Sequence, residues 1–319
     1  MNDAVAFFQR PFPSANAVLL RGERPVLVDG GFGADVPALL AWLQAQGVPA
    51  EHLSLLVNTH FDCDHAGANH VLSGQFSIPI ATHWAEAALV NARDAEACRA
   101  RYLHQPVEPY RVDWAMEPGD VVDTGLAHWM VVETPGHTAG HLSLHAPALG
   151  LLVTGDAVHS NDLGWVDATR PDMLDAAEAT MRRLAELRIG CALSGHGPPT
   201  TDPAAALAVA ARRLAGWRSA PERMAWHGAK RVFAYALMVE NGLDEAEITP
   251  LLLRSPWFVA YAAMPFCVDP ADLVGPLMAE MLRSGAARWQ GGRLVAGSPY
   301  TPPPPGWAWA PTEPTLWPM

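Results

Sequence analysis

A short apolar run followed directly by a cluster of potential metal ligands is the feature that most constrains the fold of this chain. The run from Leu53 to Val57 leads into Asn-Thr-His-Phe-Asp-Cys-Asp-His, which places His60, Asp62, Asp64 and His65 within six residues. A short apolar run of this kind predicts a buried strand with the cluster at its carboxyl end. Imidazole nitrogens and carboxylate oxygens bind borderline divalent cations, and a cluster this rich in acids has room for two ions.

The same arrangement recurs three times further along the chain. Three strand-like segments, each with a glycine at its end, lead directly to His137, Asp156 and His196. Glycine permits the backbone angles and the close approach that a ligand-bearing loop needs. One histidine in a glycine-containing turn is usually an ordinary loop residue, but four such places in one chain predict a metal site.

The order of these motifs resembles that of the metallo-β-lactamase superfamily over about the first two hundred residues. The resemblance implies an α+β fold, a four-layer αββα sandwich with a one- or two-metal site at one edge. Members of the superfamily mostly hydrolyse esters, thioesters, lactones, amides or phosphodiesters. The motifs that carry the resemblance are Leu-Val-Asp-Gly-Gly around Asp29, His60-x-Asp62-x-Asp64-His65, His137, Asp156 and His196.

The resemblance also implies a role for each ligand of a site for two divalent ions, with zinc expected first. Asp29 matches a position that usually supports the metal loop without binding the ion. Asp64 is expected to act as the catalytic residue, because its carboxylate can orient an attacking water. The implied ligands are His60, Asp62 and His137 for one ion and Asp64, His65 and His196 for the other, with Asp156 bridging them.

Asp62 departs from the superfamily pattern, which usually has histidine at this position. With Asp62, three carboxylates and a bridging hydroxide would bring about −4 of ligand charge against about +4 from the ions, so the site would be near neutral. The usual pattern leaves roughly one surplus positive charge. An oxygen ligand also favours iron or manganese at the first site. Because aspartate is shorter than histidine, Asp62 either binds directly after the loop moves in, or binds through water or supports a ligand.

Three functions are compatible with these residues. The first is a hydrolase that acts on an ester, thioester or lactone of a small molecule with an activated water. The second is a di-iron redox enzyme acting on oxygen or a related oxidant. A related ligand pattern, with glutamate where this chain has Asp62, resembles that of the flavodiiron reductases. Those reductases carry a flavodoxin-like domain, for which residues 220–319 are too short. The third is a non-enzymatic scaffold with a degenerate metal site.

Composition limits the partners. The chain has 319 residues, 50% of them hydrophobic and 17% charged, and its net charge is −12. Lys230 is the single lysine, and the arginines form no run. Nucleic-acid binding needs a clustered basic face, so a small-molecule substrate is expected and a nucleic-acid partner is not.

The expected location is the cytoplasm. The four cysteines show no paired spacing, which favours reduced thiols. The N-terminus lacks a basic and apolar signal sequence, and no apolar stretch is long enough to span a membrane.

The chain is predicted to divide into a metal-binding domain (1–218), a winged-helix-like module (219–297) and a Pro/Trp-rich tail (298–319). The module is expected to contain helices at 221–241, 244–253 and 269–284, followed by a hairpin near 287–295. It lacks a basic recognition face, so a packing or homodimer role is expected. The tail is either docked on the protein or disordered.

The long segment between Trp84 and Pro118 is predicted to be functional, because loops of this length are uncommon inside compact domains. Its aromatic residues either pack the segment onto the domain or form a lid or one wall of the substrate pocket, with Trp165 on the opposite wall. These aromatics are Trp84, Tyr102, Tyr110 and Trp114.

Overall fold

Two sheets packed face to face form the centre of the computed structural model, which describes residues 3–309 and 311–318. The first sheet has six strands in sequence order, antiparallel from β1 to β3 and parallel from β3 to β6. These are β1 (Val5–Phe8), β2 (Ala17–Leu20), β3 (Val26–Val28), β4 (Leu55–Val57), β5 (Ile80–His83) and β6 (Trp114–Met116).

The second sheet has the order β11-β10-β9-β8-β7. Its strands are β7 (Val121–Asp123), β8 (His128–Glu133), β9 (Leu142–Ala146), β10 (Leu151–Gly155) and β11 (Cys191–Ser194).

Helices cover the outer face of each sheet. Five helices lie between the strands of the first sheet in the sequence and share a core with it: α1 (Val36–Ala45), α2 (Cys63–Ala66), α3 (Asn69–Phe76), α4 (Trp84–Ala92) and α5 (Ala100–Leu103). The second sheet packs against α6 (Pro171–Ala185) and α7 (Pro203–Ser219). This arrangement confirms the predicted four-layer αββα sandwich.

Apolar residues on both faces of the first sheet explain why its strands are continuous apolar runs. Leu19, Leu27 and Leu56 pack against the helices on one side. Their strand neighbours, such as Val28 and Val57, pack against the second sheet on the other. Successive side chains of a strand point to opposite faces, so a strand buried on both faces cannot show a polar alternation.

The C-terminal region is mainly helical and has a small sheet, as predicted. It contains α8 (Pro221–Val239), β12 (Leu243–Asp244), α9 (Glu245–Arg254), α10 (Pro256–Ala263), α11 (Pro270–Arg283), β13 (Ala287–Gln290) and β14 (Arg293–Ala296). The sheet order is β12-β14-β13, with all pairs antiparallel. The expected boundary near residue 218 falls at the junction of α7 and α8.

Helix α10 and strand β12 are not predicted by the sequence patterns. Pro256 follows directly after α9 and indicates a helix end, yet proline is well suited to the first turn of a new helix, where its missing N–H costs nothing. The helix is apolar on its exposed face as well as on its buried face, so its sequence lacks the amphipathic period that reveals a surface helix.

The module shares its hydrophobic core with the metal-binding domain. Leu103 and Trp165 of that domain pack in the same cluster as Phe258 and Tyr261 of α10. The Tyr261 hydroxyl also accepts a hydrogen bond from the backbone N–H of Ala168, at 3.3 Å. The module therefore fixes the loop that carries Trp165.

The tail is docked, which decides between the two alternatives left by its composition. The backbone N–H of Thr301 donates to the carbonyl of Phe12 at 2.8 Å. Trp307 lies edge-on to Phe32 with ring centroids 5.9 Å apart, and Trp317 is buried against Tyr110. Within residues 3–309 and 311–318, no helix combines the length and the apolar content needed to cross a membrane.

Two helices of the first sheet begin close to the ligand cluster or to residues that hold it. Asp35 precedes α1, but its side chain does not cap the helix and instead accepts hydrogen bonds from Arg10 and Ser14, both at 2.9 Å. Helix α2 starts at Cys63, inside the ligand cluster.

Phe258 provides a test of the shared core. Replacing this fully buried side chain (Phe258→Ala) should lower the free energy of unfolding by about 3–5 kcal/mol, because it leaves a cavity. The neighbouring Val259 is 39% exposed, so Val259→Ala should cost less than about 1 kcal/mol. Urea unfolding of both variants measures the difference, and equal losses would contradict the shared core.

Candidate metal centre

All seven predicted ligands are buried and lie together where strands of the two sheets end. The ligands His60, Asp62, Asp64 and His65 follow β4, and His137, Asp156 and His196 follow β8, β10 and β11. Their ligand atoms form three overlapping groups, in each of which all atoms lie within 4.8 Å of one another. These groups are His60, His65 and Asp156; His60, Asp62 and His137; and Asp64, His65 and His196.

The second predicted ligand group is compact. His196 Nε2 lies 3.1 Å from Asp64 Oδ2 and 3.8 Å from Asp156 Oδ2. His65 Nε2 lies 3.9 Å from Asp64 Oδ2 and 3.5 Å from Asp156 Oδ1. Four ligand residues therefore surround one small volume, and Asp156 reaches both histidines.

The residues present fit a divalent cation, because two histidine nitrogens are buried with no hydrogen-bond partner. These are His60 Nε2 and His65 Nε2. The other ring nitrogen of each histidine is used, with His65 Nδ1 donating to Asp29 at 2.8 Å and His60 Nδ1 donating to Thr59 at 3.1 Å. This leaves the lone pair on each Nε2 facing the cluster, and a buried lone pair without a partner is costly unless a cation occupies the site.

Asp29 supports the metal loop as the sequence pattern implied. Its Oδ1 accepts the backbone N–H of Thr59, and its Oδ2 accepts the Thr59 hydroxyl, both at 2.8 Å. The same Oδ2 accepts from His65 Nδ1. One carboxylate thus fixes the start of the ligand loop and the ring orientation of a ligand.

Two further histidines surround Asp156. His141 Nε2 accepts the backbone N–H of Asp156 at 3.0 Å, and its Nδ1 is paired with the Thr134 hydroxyl at 2.8 Å. His141 therefore orients the ligand loop, and its lone pair is already used. His159, to which the sequence assigned no firm role, pairs through Nε2 with Asp156 Oδ1 at 3.2 Å.

The sequence analysis missed Arg99, which reaches the centre from the segment between α4 and α5. Its Nε donates to Asp62 Oδ1 at 2.9 Å, and its Nη2 donates to Asp62 Oδ2. Burial would raise the pKa of Asp62, but the positive charge of Arg99 is the largest opposing effect, and that pKa lies well below its usual range. An arginine in a mixed segment carries no motif, so no sequence signal could have identified it.

A cleft of about 440 Å³ opens above the centre. Phe12 stacks on His196 at its floor, with ring centroids 4.5 Å apart, and Trp165 forms part of one side. The C-terminal module supplies the opposite wall through Val232, Tyr235 and Met238. The module therefore shapes the cleft, a role beyond the packing or dimer role expected from its sequence.

The aromatics of the long segment do not line the pocket, which decides between the two alternatives left by the sequence. That segment contributes Leu103 and Gln105 to the cleft, whereas its aromatics lie elsewhere. Tyr110 is buried in the core under the tail, and Trp84 is half exposed on the surface. Among the expected aromatic residues, Trp165 lines the cleft, whereas Trp84, Tyr102, Tyr110 and Trp114 do not.

Comparison with known proteins identifies the family. Residues 10–196 match the family described as the metallo-beta-lactamase superfamily, which is more than half of the chain. The chain therefore belongs to this superfamily.

Curated relatives are hydrolases by name. A probable metallo-hydrolase, MJ0888, from Methanocaldococcus jannaschii is 25% identical over 190 residues, which cover 58% of this chain and 88% of that protein. A hydroxyacylglutathione hydrolase from Chelativorans sp. is 27% identical over 176 residues, covering 55% and 60%. The acyl-coenzyme A thioesterase MBLAC2 from Bos taurus is 29% identical over 220 residues, covering 59% and 74%. The similarity places this chain among the metal-dependent hydrolases of the superfamily.

One solved structure extends the likeness to the C-terminal region. The metallo-beta-lactamase family protein TTHA1429 from Thermus thermophilus superposes with a TM-score of 0.55 at 22% identity. The superposition covers 92% of this chain and 99% of the other, so the fold is shared beyond the sandwich.

Gly195 tests how tightly the second ligand group is built. A Cβ at this position would lie 2.5 Å from Asp156 Oδ1 and 2.7 Å from His65 Cε1, so Gly195→Ala must displace ligands. Zinc affinity, measured by competition with a chelator, should fall about 10–100-fold. Gly190→Ala, at the other end of β11, is the control because its Cβ would have no neighbour closer than 3.4 Å. Unchanged affinity in Gly195→Ala would contradict this geometry.

Proposed function

We propose that this protein hydrolyses an ester or thioester of a small acidic molecule, with zinc as the resident ion. The observation that carries the proposal is one continuous cleft that begins at the histidine and carboxylate cluster and ends at a group of cationic side chains. The names of the curated relatives support acyl hydrolysis, and two of them name acyl thioesters of acidic thiols.

In the proposed reaction, the bound ion and the side chains of the protein have different roles. A divalent cation held by the cluster supplies Lewis acidity, which lowers the pKa of a water molecule and polarises a carbonyl group. Asp64 lies at the cleft floor, where its carboxylate accepts a hydrogen bond from the attacking water and orients it. Nitrogen and oxygen ligands in this number suit zinc, while iron or manganese is the alternative that the carboxylates favour.

No protein nucleophile is required. Cys63 is the thiol nearest to the ligands in sequence, but it is fully buried in the core, and its Sγ donates to Gln105 Oε1 at 3.2 Å. The thiol therefore serves packing.

A group of partly exposed cationic side chains lines the same cleft, and we call it the basic mouth: Arg213, His227, Lys230 and Arg231. Arg213 and Arg231 share one carboxylate, Asp162, each at 3.1 Å. Lys230 pairs with Glu280 at 2.8 Å. The three permanent cations of the basic mouth thus pair with two carboxylates, in a chain whose net charge is −12.

This local excess of positive charge favours a substrate with a phosphate or carboxylate group. A cluster of cationic side chains in a cleft attracts an anionic group, and arginine and lysine bind both phosphates and carboxylates. The thiol parts of coenzyme A and glutathione thioesters carry such groups, whereas a plain alkyl ester does not.

A substrate comparison tests this assignment. Thioesters with the same acyl group on coenzyme A, on glutathione and on neutral N-acetylcysteamine should differ, with kcat/KM at least about tenfold higher for an acidic thiol. Lys230→Met should raise KM for that acidic substrate and leave the neutral one unchanged. Arg223→Met is the control, because Arg223 is exposed on the same helix and does not line the cleft. Equal kcat/KM for all three thioesters would remove the acidic-substrate assignment.

Asp64→Asn tests the hydrolytic mechanism. The change keeps the side-chain shape but removes the charge that orients the water, so kcat should fall at least about a hundredfold. Circular dichroism should show an unchanged fold. Asp272→Asn, on the exposed first turn of α11, should leave kcat unaltered. If Asp64→Asn retained full activity, the proposed mechanism would be wrong.

A further inference from the structure

We propose that Arg99 takes the place of the first metal ion, so that the centre binds one ion tightly, at Asp64, His65, Asp156 and His196. The inference rests on the metal site of the proposed function but not on its substrate. It departs from the two-ion site that the sequence pattern implied.

The first observation is that Arg99 uses both oxygens of Asp62. The guanidinium donates from Nε to Oδ1 and from Nη2 to Oδ2, which is the bidentate geometry that arginine forms with carboxylates. Asp62 is 4% exposed. A buried bidentate pair of this kind is costly to break, because separation leaves an uncompensated charge in the interior.

The second observation concerns His137, another predicted ligand of the first ion. Its Nδ1 donates to the backbone carbonyl of Trp165 at 2.8 Å, which leaves the lone pair on Nε2. Arg99 Nη2 lies 3.2 Å from this Nε2 and donates to it. A zinc ion would need the same lone pair at a distance of about 2.0–2.1 Å, and one lone pair cannot serve both.

The third observation is the contrast with the other ligands. Asp62 and His137 both have Arg99 as a partner, whereas His60 Nε2 and His65 Nε2 have no hydrogen-bond partner. His60 also belongs to a group with His65 and Asp156 that excludes Asp62. His60 Nε2 also lies 3.6 Å from Asp62 Oδ2, in the group that contains Asp62 and His137. Because Arg99 already pairs with that carboxylate, the lone pair of His60 is left for the ion of the second ligand group.

The backbone shows that Arg99 is held in place. Cys98 and Arg99 are consecutive non-glycine residues with positive φ, at 57° and 48°. A side chain with a Cβ is strained in this left-handed region, and strain of this kind clusters at functional sites. The guanidinium lies over the Trp165 ring at 4.9 Å and donates from Nη1 to the His137 carbonyl at 3.1 Å. These contacts and burial of Cys98 fix the strained turn.

The net charge of the metal site does not distinguish one bound ion from two. If the Asp62 and Arg99 pair acted together as a neutral ligand beside a second ion, the site would have about the same net charge as the usual superfamily pattern. The number of bound ions is therefore the measurement that separates the two arrangements.

The test is zinc stoichiometry and affinity in the full chain, by calorimetric titration of metal-depleted protein and by elemental analysis. The wild type should bind one ion per chain tightly. Arg99→Met should bind two, because it frees the Asp62 carboxylate and the His137 lone pair. Arg101→Met is the matched control, since Arg101 is exposed two residues away, and should still bind one ion. Two tightly bound ions in the wild type, or a single bound ion in Arg99→Met, would overturn the proposal.

A second variant covers loss of folding in Arg99→Met. Arg99→Lys keeps the positive charge but lacks the planar fork that contacts both Asp62 and His137, so it should bind a second ion at least about tenfold more tightly than the wild type. An unchanged second affinity in Arg99→Lys would also overturn the proposal. Hydrolysis is measured separately, so an inactive wild type with one bound ion would count against the proposed function and not against the role of Arg99.

Discussion

Burial of lone pairs and carboxylates at the meeting edge of two sheets is the constraint on which the rest of the site depends. Seven potential ligands lie almost out of contact with water, so each must find a hydrogen-bond partner or a cation. Asp29 meets part of this need by fixing Thr59 and His65, and Arg99 meets another part by pairing with Asp62. His60 Nε2 and His65 Nε2 have no hydrogen-bond partner and are available to a metal ion. The fold supplies the positions, and charge compensation decides what fills them.

The cleft joins this buried centre to the C-terminal module, and the two parts are mechanically connected. Tyr261 of the module holds the loop of Trp165, and Trp165 contacts both Arg99 and the ring of His137. Helix α8 carries both the apolar wall and most of the basic mouth. A helical module that looks like a separate appendage in the sequence therefore supports both substrate binding and the ligand geometry.

Local sequence features predicted much of the sandwich. The strand before His60 was recognisable because a strand covered on both faces needs an uninterrupted apolar run. The ligand set was recognisable through its motif order. Helix α10 was missed because its exposed face is apolar as well as its buried face, so its sequence has no amphipathic period. The sequence left open whether the aromatic residues of the long segment pack on the domain or line the cleft, because aromatic side chains fill cores as readily as pockets.

The sequence by itself determined the superfamily, the sandwich and the residues that can bind a metal, because these depend on short-range patterns and on a fixed motif order. Only the tertiary structure decided what each ligand faces. Arg99 meets Asp62 across 37 positions of the chain, and the basic mouth gathers residues of α7 and α8 around Asp162. Such contacts depend on how helices pack and on two strained backbone angles, and no local sequence pattern predicts them. The proposed number of ions and the proposed charge of the substrate therefore rest on how the chain packs.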